Sequence, residues 1–234
     1  RDWAFEDCSR LTNVVIGNSV TWIGRFAFYS CVRLTSIVFP DSLTTIYEQA
    51  FQKCSALKSV TIPGSVKTIG VSAFSECNSL KTAGPIGGDY DYKFGWTDTI
   101  PTYAFAECGI ESITIPNNVT EIKYFAFDRC GNLKNIIIPD RVTTIERSAF
   151  SFCRGLTSVT IPSKVTVIDE YTFSYCTGLK SVTIPGSVTE IKEKAFDNCT
   201  HLTDVYYSGS ETQWSAISKA EYNLALMFAN IHYN

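Results

Sequence analysis

The sequence lacks most of the residues that build catalytic and metal sites. Its 234 residues include 2 histidines and 1 methionine, and no two of its cysteines form a Cys-x-x-Cys pair. It also has no glycine-rich phosphate loop and no nucleophile elbow, the motifs that serve phosphate and acyl chemistry. We therefore expect a protein that is not an enzyme and that uses no metal or cofactor.

Charge and hydropathy exclude further classes of partner. Lysine and arginine number 20 against 23 aspartates and glutamates, a net charge of −3, and both signs are mixed along the chain. Such a balance predicts no binding to nucleic acid or to an anionic membrane surface. No apolar run approaches the ~18 residues of a membrane-spanning helix. No charged-then-apolar leader opens the chain, so we expect any signal peptide to have been removed or to lie outside this sequence.

What the sequence has in abundance is an internal repeat. The motif Ala-Phe-x-x-Cys recurs at a step of 23 residues, except for one step of 31 and one of 22. Its nine copies end at Cys8, Cys31, Cys54, Cys77, Cys108, Cys130, Cys153, Cys176 and Cys199. One copy has Thr172 in place of the alanine. A fixed period of this length is the signature of a solenoid.

Each motif is followed by the pattern of a short strand. Residues 58–63 read Lys-Ser-Val-Thr-Ile-Pro, in which apolar and hydroxyl side chains alternate with the two-residue period of a strand. Proline cannot donate to a ladder of strands, so the strand should end at Pro63. A second apolar pair, Val66 and Ile69, predicts another short extended segment. We interpret the Ala-Phe-x-x-Cys segment as one helical or 3-10 turn.

One repeat has too few apolar side chains to form a core alone, so neighbouring repeats must share one. The sequence therefore predicts an α/β repeat solenoid, a leucine-rich-repeat-like right-handed superhelix with short parallel strands. We assign residues 1–207 to nine repeats and residues 208–234 to a C-terminal cap. The 31-residue step places an insertion at about 83–99 in the fourth repeat. The first repeat is entered at its middle, so we expect an N-terminal cap or further repeats before Arg1.

All nine cysteines fall in one column of the repeat. Equivalent residues in stacked coils have parallel Cβ bonds about 4.8 Å apart, whereas a disulfide needs converging bonds and roughly 3.5–4.5 Å. We therefore predict a ladder of free, buried thiols that behave as small hydrophobic side chains. His201 is expected at the surface and not as a base for Cys199, because apolar burial suppresses thiolate formation.

The repeat resembles that of a known family. The strings AFQKCSALKSVTIPGSVKTIG (50–70) and TFSYCTGLKSVTIPGSVTEIK (172–192) are similar to the repeat of BspA-type leucine-rich repeat proteins, the Treponema pallidum class, and the resemblance covers roughly residues 1–207. It implies a bacterial protein, secreted or attached to the cell surface, that adheres to host proteins or to other bacteria. The shared motif is structural, so no binding residue of the family can be transferred to this chain.

The insertion is the first candidate for a binding site. It carries four aromatic and three charged side chains in a short stretch that follows two glycines. These are Asp89, Tyr90, Asp91, Tyr92, Lys93, Phe94 and Trp96. Tyrosine and tryptophan dominate binding hot spots, which favours a recognition loop. The alternative is that the rings fold back onto the solenoid and cover the core gap at 83–85.

The outward face of the main strand is the second candidate. Its candidate residues are Lys58, Thr61, Thr160, Lys180 and Thr183. Such columns offer a flat, hydroxylated sheet to a protein or glycan, although threonine is also common on exposed strands that bind nothing. We expect a monomer that binds a protein or glycan macromolecule. The alternative function is a structural spacer, in which the repeats serve only for length.

Overall fold

The computed structural model describes residues 1–83 and 98–234. Within these residues the predicted parallel-strand solenoid, of about nine turns, is confirmed. Each described strand pairs in parallel with an equivalent strand in the neighbouring turn, as where Ser36 pairs with Ser59. Each turn of the chain, called a coil below, therefore contributes one layer to a shared core.

The regular elements are short because each coil must change direction several times within about 23 residues. In chain order the strands are β1 (Asn13–Val15), β2 (Trp22–Ile23), β3 (Ser36–Val38), β4 (Thr45–Ile46), β5 (Ser59–Val60), β6 (Thr68–Ile69), β7 (Thr82–Ala83), β8 (Thr99–Ile100), β9 (Ser112–Ile113), β10 (Glu121–Ile122), β11 (Thr144–Ile145), β12 (Ser158–Thr160), β13 (Val167–Ile168), β14 (Ser181–Ile184), β15 (Glu190–Ile191), β16 (Asp204–Tyr207), β17 (Ser218–Lys219) and β18 (Asn230–Tyr233). The helices α1 (Glu211–Ala216) and α2 (Leu224–Phe228) both lie in the C-terminal tail.

The strands form two series of parallel sheets that run along the solenoid. The main sheet comprises β1-β3-β5-β7-β9 and β12-β14-β16-β18, and a bridge between Thr114 and Ile137 continues its register between the two groups. The second series comprises β2-β4-β6, β8-β10-β11 and β13-β15-β17. In the main sheet the alternation predicted from the sequence holds, since Val60 is buried and Thr61 is exposed.

The helical turn predicted for the Ala-Phe-x-x-Cys segment is not confirmed, since the described repeats have no helix there. Each segment is a run of turns with two residues in the left-handed region, as with Phe26 at φ 54° and Ser30 at φ 58°. Left-handed residues interrupt a right-handed helix. Their conformation instead leaves backbone groups free to bond to the next coil, where the Phe28 N–H donates to the Ala50 carbonyl at 2.8 Å. The segment is thus a third ladder between coils.

The core is a set of columns in which each side chain lies on its counterpart. The phenylalanine rings of the motif stack face to face, with centroids 5.1 Å apart for Phe28 and Phe51 and 5.3 Å apart for Phe51 and Phe74. Most of these rings are fully buried, and burying one contributes roughly 1.5–3 kcal/mol. The column explains why phenylalanine stands at this position in all nine copies of the motif.

The cysteines form a second core column beside the rings. All nine are free, eight are buried and Cys8 is exposed, so the predicted ladder of buried thiols is confirmed except at its first member. The thiols also have a role that was not predicted, because each buried one donates a hydrogen bond to the phenylalanine carbonyl of the preceding coil. For Cys54 the acceptor is Phe28, at 3.1 Å, and for Cys153 it is Phe127, at 3.2 Å.

The C-terminal tail adds one more layer. Ser210 caps α1 by accepting a hydrogen bond from the Gln213 N–H at 3.3 Å, and the Gln213 side chain accepts one from the Ser210 N–H at 2.9 Å. Trp214 on α1 is buried against Tyr207, with ring centroids 5.2 Å apart. Strands β17 and β18 then extend the second series and the main sheet, respectively.

Candidate binding face

The first candidate site lies outside the described residues. This holds for Asp89, Tyr90, Asp91, Tyr92, Lys93, Phe94 and Trp96. The described chain stops at the end of β7 and resumes at Asp98, directly before β8. Among the residues that the structure describes, the candidate surface is therefore the outward side of the main sheet, which we call the strand face.

The strand face consists of two outward columns of side chains. The first column holds Asn13, Ser36, Ser59, Ser112, Asn135, Ser158, Ser181 and Asp204. The second column holds Val15, Val38, Thr61, Thr114, Ile137, Thr160, Thr183 and Tyr206. Because strands of neighbouring coils lie about 4.8 Å apart, like side chains recur at that spacing along the solenoid.

The five residues predicted for this face do lie along it, but in separated coils. Thr61 and Thr160 are exposed in the second column, and Thr183, which is half-buried, lies directly opposite Thr160. Lys58 and Lys180 are exposed one residue before β5 and β14, at the edge of the face. Thr61 and Lys58 therefore belong to one coil. Thr160 belongs to a later coil, and Lys180 and Thr183 belong to the coil after that.

Sequence reasoning missed the apolar members of the second column. Val15 is 89% exposed, Val38 is 70% exposed and Ile137 is 82% exposed, although each is a β-branched hydrocarbon. They occupy the position of Thr61, which faces away from the core in each coil where the structure describes it. The strand alternation could have revealed them, because an apolar residue at an outward position contributes nothing to the core.

A column that includes four lysines borders the strand face, and we call it the lysine margin. Its members directly precede the main strands and are Thr12, Thr35, Lys58, Lys81, Glu111, Lys134, Thr157, Lys180 and Thr203. An unbroken ladder joins them, in which each N–H donates to the carbonyl of the preceding member, for example Lys81 to Lys58 at 3.0 Å. The ladder holds the four lysines in one line along the solenoid.

The two carboxylates of this surface are both engaged. Lys81 Nζ lies 3.0 Å from Glu111 Oε1, and this hydrogen bond, with the lysine charge, lowers the pKa of Glu111. At the C-terminal end, His232 Nε2 lies 2.7 Å from Asp204 Oδ1, and hydrogen bonds from His232 and then Thr203 lower the pKa of Asp204. Within the described residues, Lys58, Lys134 and Lys180 form no ion pair.

Cys199, the last member of the cysteine column, is not placed as a reactive thiol. Burial raises the pKa of Cys199 to about 12, and its thiol donates to the Phe173 carbonyl at 3.1 Å. His201 is exposed, with Nδ1 2.5 Å from the Thr177 carbonyl oxygen. Both groups are thus bonded to carbonyl oxygens, an arrangement unlike that of a thiolate and its base.

The described ranges contain no other candidate centre of the usual kinds. Across residues 1–83 and 98–234, no three histidine, cysteine, aspartate or glutamate side chains come together in a way that could hold a metal ion. Over the same ranges, neither helix has the length and apolar character that a membrane crossing requires. The strand face and its lysine margin are therefore the candidate binding surface of the described residues.

Comparison with protein families gives one match that covers most of the chain. The family described as "BspA type Leucine rich repeat region" matches residues 1–84 and 98–218, in 6 copies. The two matched ranges stop and restart around the insertion, where the sequence loses the strand pattern. A search of curated proteins found no match.

Comparison with solved structures finds similar solenoids. A leucine rich cell surface protein from Faecalibacterium prausnitzii A2-165 is 34% identical, with a TM-score of 0.58 over 92% of this chain and 64% of its own. A leucine-rich repeat protein from Bacteroides ovatus ATCC 8483 is 26% identical, with a TM-score of 0.69 over 100% of this chain and 66% of its own. The pneumococcal vaccine antigen PcpA, at 22% identity and a TM-score of 0.54, shares the fold. The chain thus spans slightly less than two thirds of the first two proteins.

Proposed function

The chain belongs to the family of BspA-type leucine-rich repeat proteins, and on that basis we propose that it is a non-catalytic recognition module of a bacterial cell-surface or secreted protein. It binds a host or microbial macromolecule along the strand face. The similarity to a protein described as a leucine rich cell surface protein supports the location. The strand face supports the mode of action, because binding by solenoids uses surfaces repeated over many coils.

The observation that carries the proposal is the exposure of apolar side chains at outward positions of the main sheet. Val38 and Ile137 expose 70% and 82% of their surface. Threonine, which other coils have at this position, favours a strand equally well and would not expose an apolar side chain. Val38 adjoins the exposed Val15 of the preceding coil, and adjoining apolar groups rimmed by polar residues are typical of interaction surfaces. A spacer has no need of them, which disfavours that alternative.

The insertion remains a second proposed contributor to the same function. Its four rings are of the residue types that dominate hot spots, and they follow β7 of the main sheet in sequence. We propose that Tyr90 and Tyr92 contact the same partner as the strand face. The two contributions are separable by substitution, because Val38 and Ile137 are on coils other than the one with the insertion.

The test is a binding screen of the purified chain against extracellular-matrix proteins, mucins, glycans and bacterial surface proteins. For any partner found, the double variant Val38→Asp/Ile137→Asp should weaken binding at least tenfold, about 1.4 kcal/mol, because it places two charges in the contact. The matched control is Leu224→Asp/Met227→Asp, which changes two other exposed apolar residues, on α2. A third variant, Tyr90→Ala/Tyr92→Ala, measures the share of the insertion.

Each result assigns the site or removes it. A loss confined to the Val38 and Ile137 pair supports the strand face, and an added loss in the tyrosine pair supports the insertion. A partner that is lost only with the Leu224 and Met227 pair would refute the strand face and move the site to the C-terminal tail. A folded chain that binds nothing in the panel would favour the spacer.

A further inference from the structure

The fold segregates charge that the sequence mixes. In each coil, the segment from the residue after the motif cysteine to the second column of the strand face, or to residue 83 in the fourth coil, forms one strip along the solenoid. These segments are 9–15, 32–38, 55–61, 78–83, 109–114, 131–137, 154–160, 177–183 and 200–206. They contain seven basic side chains against the acidic Glu111 and Asp204, a net of +5 in a chain whose total is −3. The rest of the chain therefore carries −8.

The basic side chains of this strip are all exposed. They are Arg10, Arg33, Lys58, Lys81, Lys134, Arg154 and Lys180. Both acidic side chains have partners at 3.0 Å or less, Glu111 with Lys81 and Asp204 with His232. Among the described residues, the lysines at 58, 134 and 180 form no ion pair, and the charge of Lys134 only helps Lys81 to lower the pKa of Glu111.

The lysines also lie on one line, at steps of one or two coils. The backbone ladder of the lysine margin sets one position per coil, at about 4.8 Å. Lys134 and Lys180 are two coils apart, and Thr157 lies between them on the same ladder. Beside this line runs the first column of the strand face, with the hydroxyl groups of Ser59, Ser158 and Ser181. The surface thus repeats cations and hydroxyls in parallel lines over many coils.

We propose that this surface binds a linear anionic polysaccharide, lying along the solenoid with its sulfate or carboxylate groups on the lysine margin and its sugar hydroxyls on the serines of the first column. The inference rests on the proposed function and names the chemistry of its partner. A face with cations in one line along the solenoid complements a linear polymer that carries anionic groups along its length. Lysine presents a compact charge on a flexible stem, which suits single anionic groups and can adapt to their spacing.

The same surface is less suited to nucleic acid. Proteins that bind single strands combine cations with exposed aromatic rings on which bases stack. In the described part of the two strand-face columns, Tyr206 is the single aromatic side chain, and its ring stacks on His232 with centroids 4.7 Å apart. Hydroxyl columns instead match a partner that is rich in hydroxyl groups.

The experiment measures binding of the whole chain to a sulfated heparin oligosaccharide and a carboxylated alginate oligosaccharide, with dextran as the neutral glycan. We expect at least one anionic probe to bind and dextran not to bind. The logarithm of the affinity should fall linearly with the logarithm of the salt concentration, with a slope near 2–3 for three to four contacts. The two probes distinguish sulfate from carboxylate as the recognised group.

A matched pair of triple variants locates the site. Lys58→Gln/Lys134→Gln/Lys180→Gln should weaken binding at low salt by about tenfold or more and flatten the salt slope by about 2. The control Lys67→Gln/Arg141→Gln/Lys164→Gln removes three exposed charges that lie outside the strip, so both variants have the same net charge. The control should keep the affinity of the unmodified chain, and circular dichroism should show both variants folded.

The contrary outcomes are distinct. Equal weakening in both triple variants would show that binding follows net charge, and equally tight binding of a single-stranded oligonucleotide or poly-glutamate would show that it ignores the sugar; either result overturns the proposal. If neither anionic probe binds, but another partner is lost with Val38→Asp/Ile137→Asp, this inference fails and the proposed function stands. If a partner binds and no strand-face variant weakens it, both fail.

Discussion

At the scale of the residue, the cysteine of the repeat is more than a small hydrophobic side chain. Its thiol reaches back by one coil and donates to a phenylalanine carbonyl, which also accepts the N–H of the cysteine in its own coil. For Phe127 these two donors are the Cys153 thiol and the Cys130 N–H, both at 3.2 Å. The cysteine thus joins successive coils by a bond that alanine could not make.

Replacing one buried cysteine tests this contribution. Cys153→Ala should lower the free energy of unfolding by about 1–2 kcal/mol, because it removes a hydrogen bond and leaves a small cavity. Cys8→Ala is the matched control and should stay within about 0.5 kcal/mol, because Cys8 is exposed. Urea denaturation followed by circular dichroism measures both. Equal effects at the two positions would show that the thiol bond adds nothing.

At the scale of the element, the turn segments owe their shape to left-handed residues that are not glycine. Such residues occur at two positions of each described repeat, for example Ser72 at φ 56° and Glu76 at φ 59°. For an L-residue this conformation costs roughly 1–2 kcal/mol. The ladder to the next coil offsets the cost, since the Ser72 N–H donates to the Thr102 carbonyl at 3.0 Å.

Glycine substitution separates this strain from the ladder. Ser72→Gly should raise the free energy of unfolding by about 0.5–1 kcal/mol, because the relief of the left-handed strain exceeds the added entropy of glycine in the unfolded chain. Ser79→Gly, at an exposed residue outside the left-handed region, should lower it by a similar amount. The midpoint of thermal unfolding reports both signs. A fall in both variants would show that the turn is unstrained.

At the scale of the whole molecule, stacking repeats the same buried thiol in successive coils, so the effects of pH on the individual thiols add. Burial raises the pKa of Cys54 and Cys130 to about 12, from an ordinary value of 9.0. The folded state therefore holds these protons more tightly than the unfolded state. The stability that this contributes is fully present below pH 9 and is lost as the pH rises towards 12.

Alkaline unfolding should accordingly be steep. The urea midpoint should change little between pH 6 and pH 8 and fall from pH 9 upwards, since each thiol contributes up to about 1.4 kcal/mol per pH unit. The triple variant Cys54→Ala/Cys130→Ala/Cys199→Ala, compared with Cys8→Ala, should lose stability less steeply with pH. The same slope in both variants would assign the alkaline transition to other groups.

The sequence alone was enough to predict the period, the core columns and the two series of short strands. A repeat of fixed length buries its apolar side chains efficiently when successive copies stack. They also led to the free, buried thiols and to an outward face that includes Thr61 and Thr160. The helical turn was not confirmed, because left-handed residues such as Phe26 and Ser30 bond through their N–H groups to the next coil, and no local pattern records those bonds. Tertiary structure likewise decided that Val38 and Ile137 are exposed. It also brought seven basic side chains together on one strip. Residues 23 positions apart become neighbours only when the coils stack. A sequence in which acidic and basic residues are mixed therefore folds into a molecule with one basic strip.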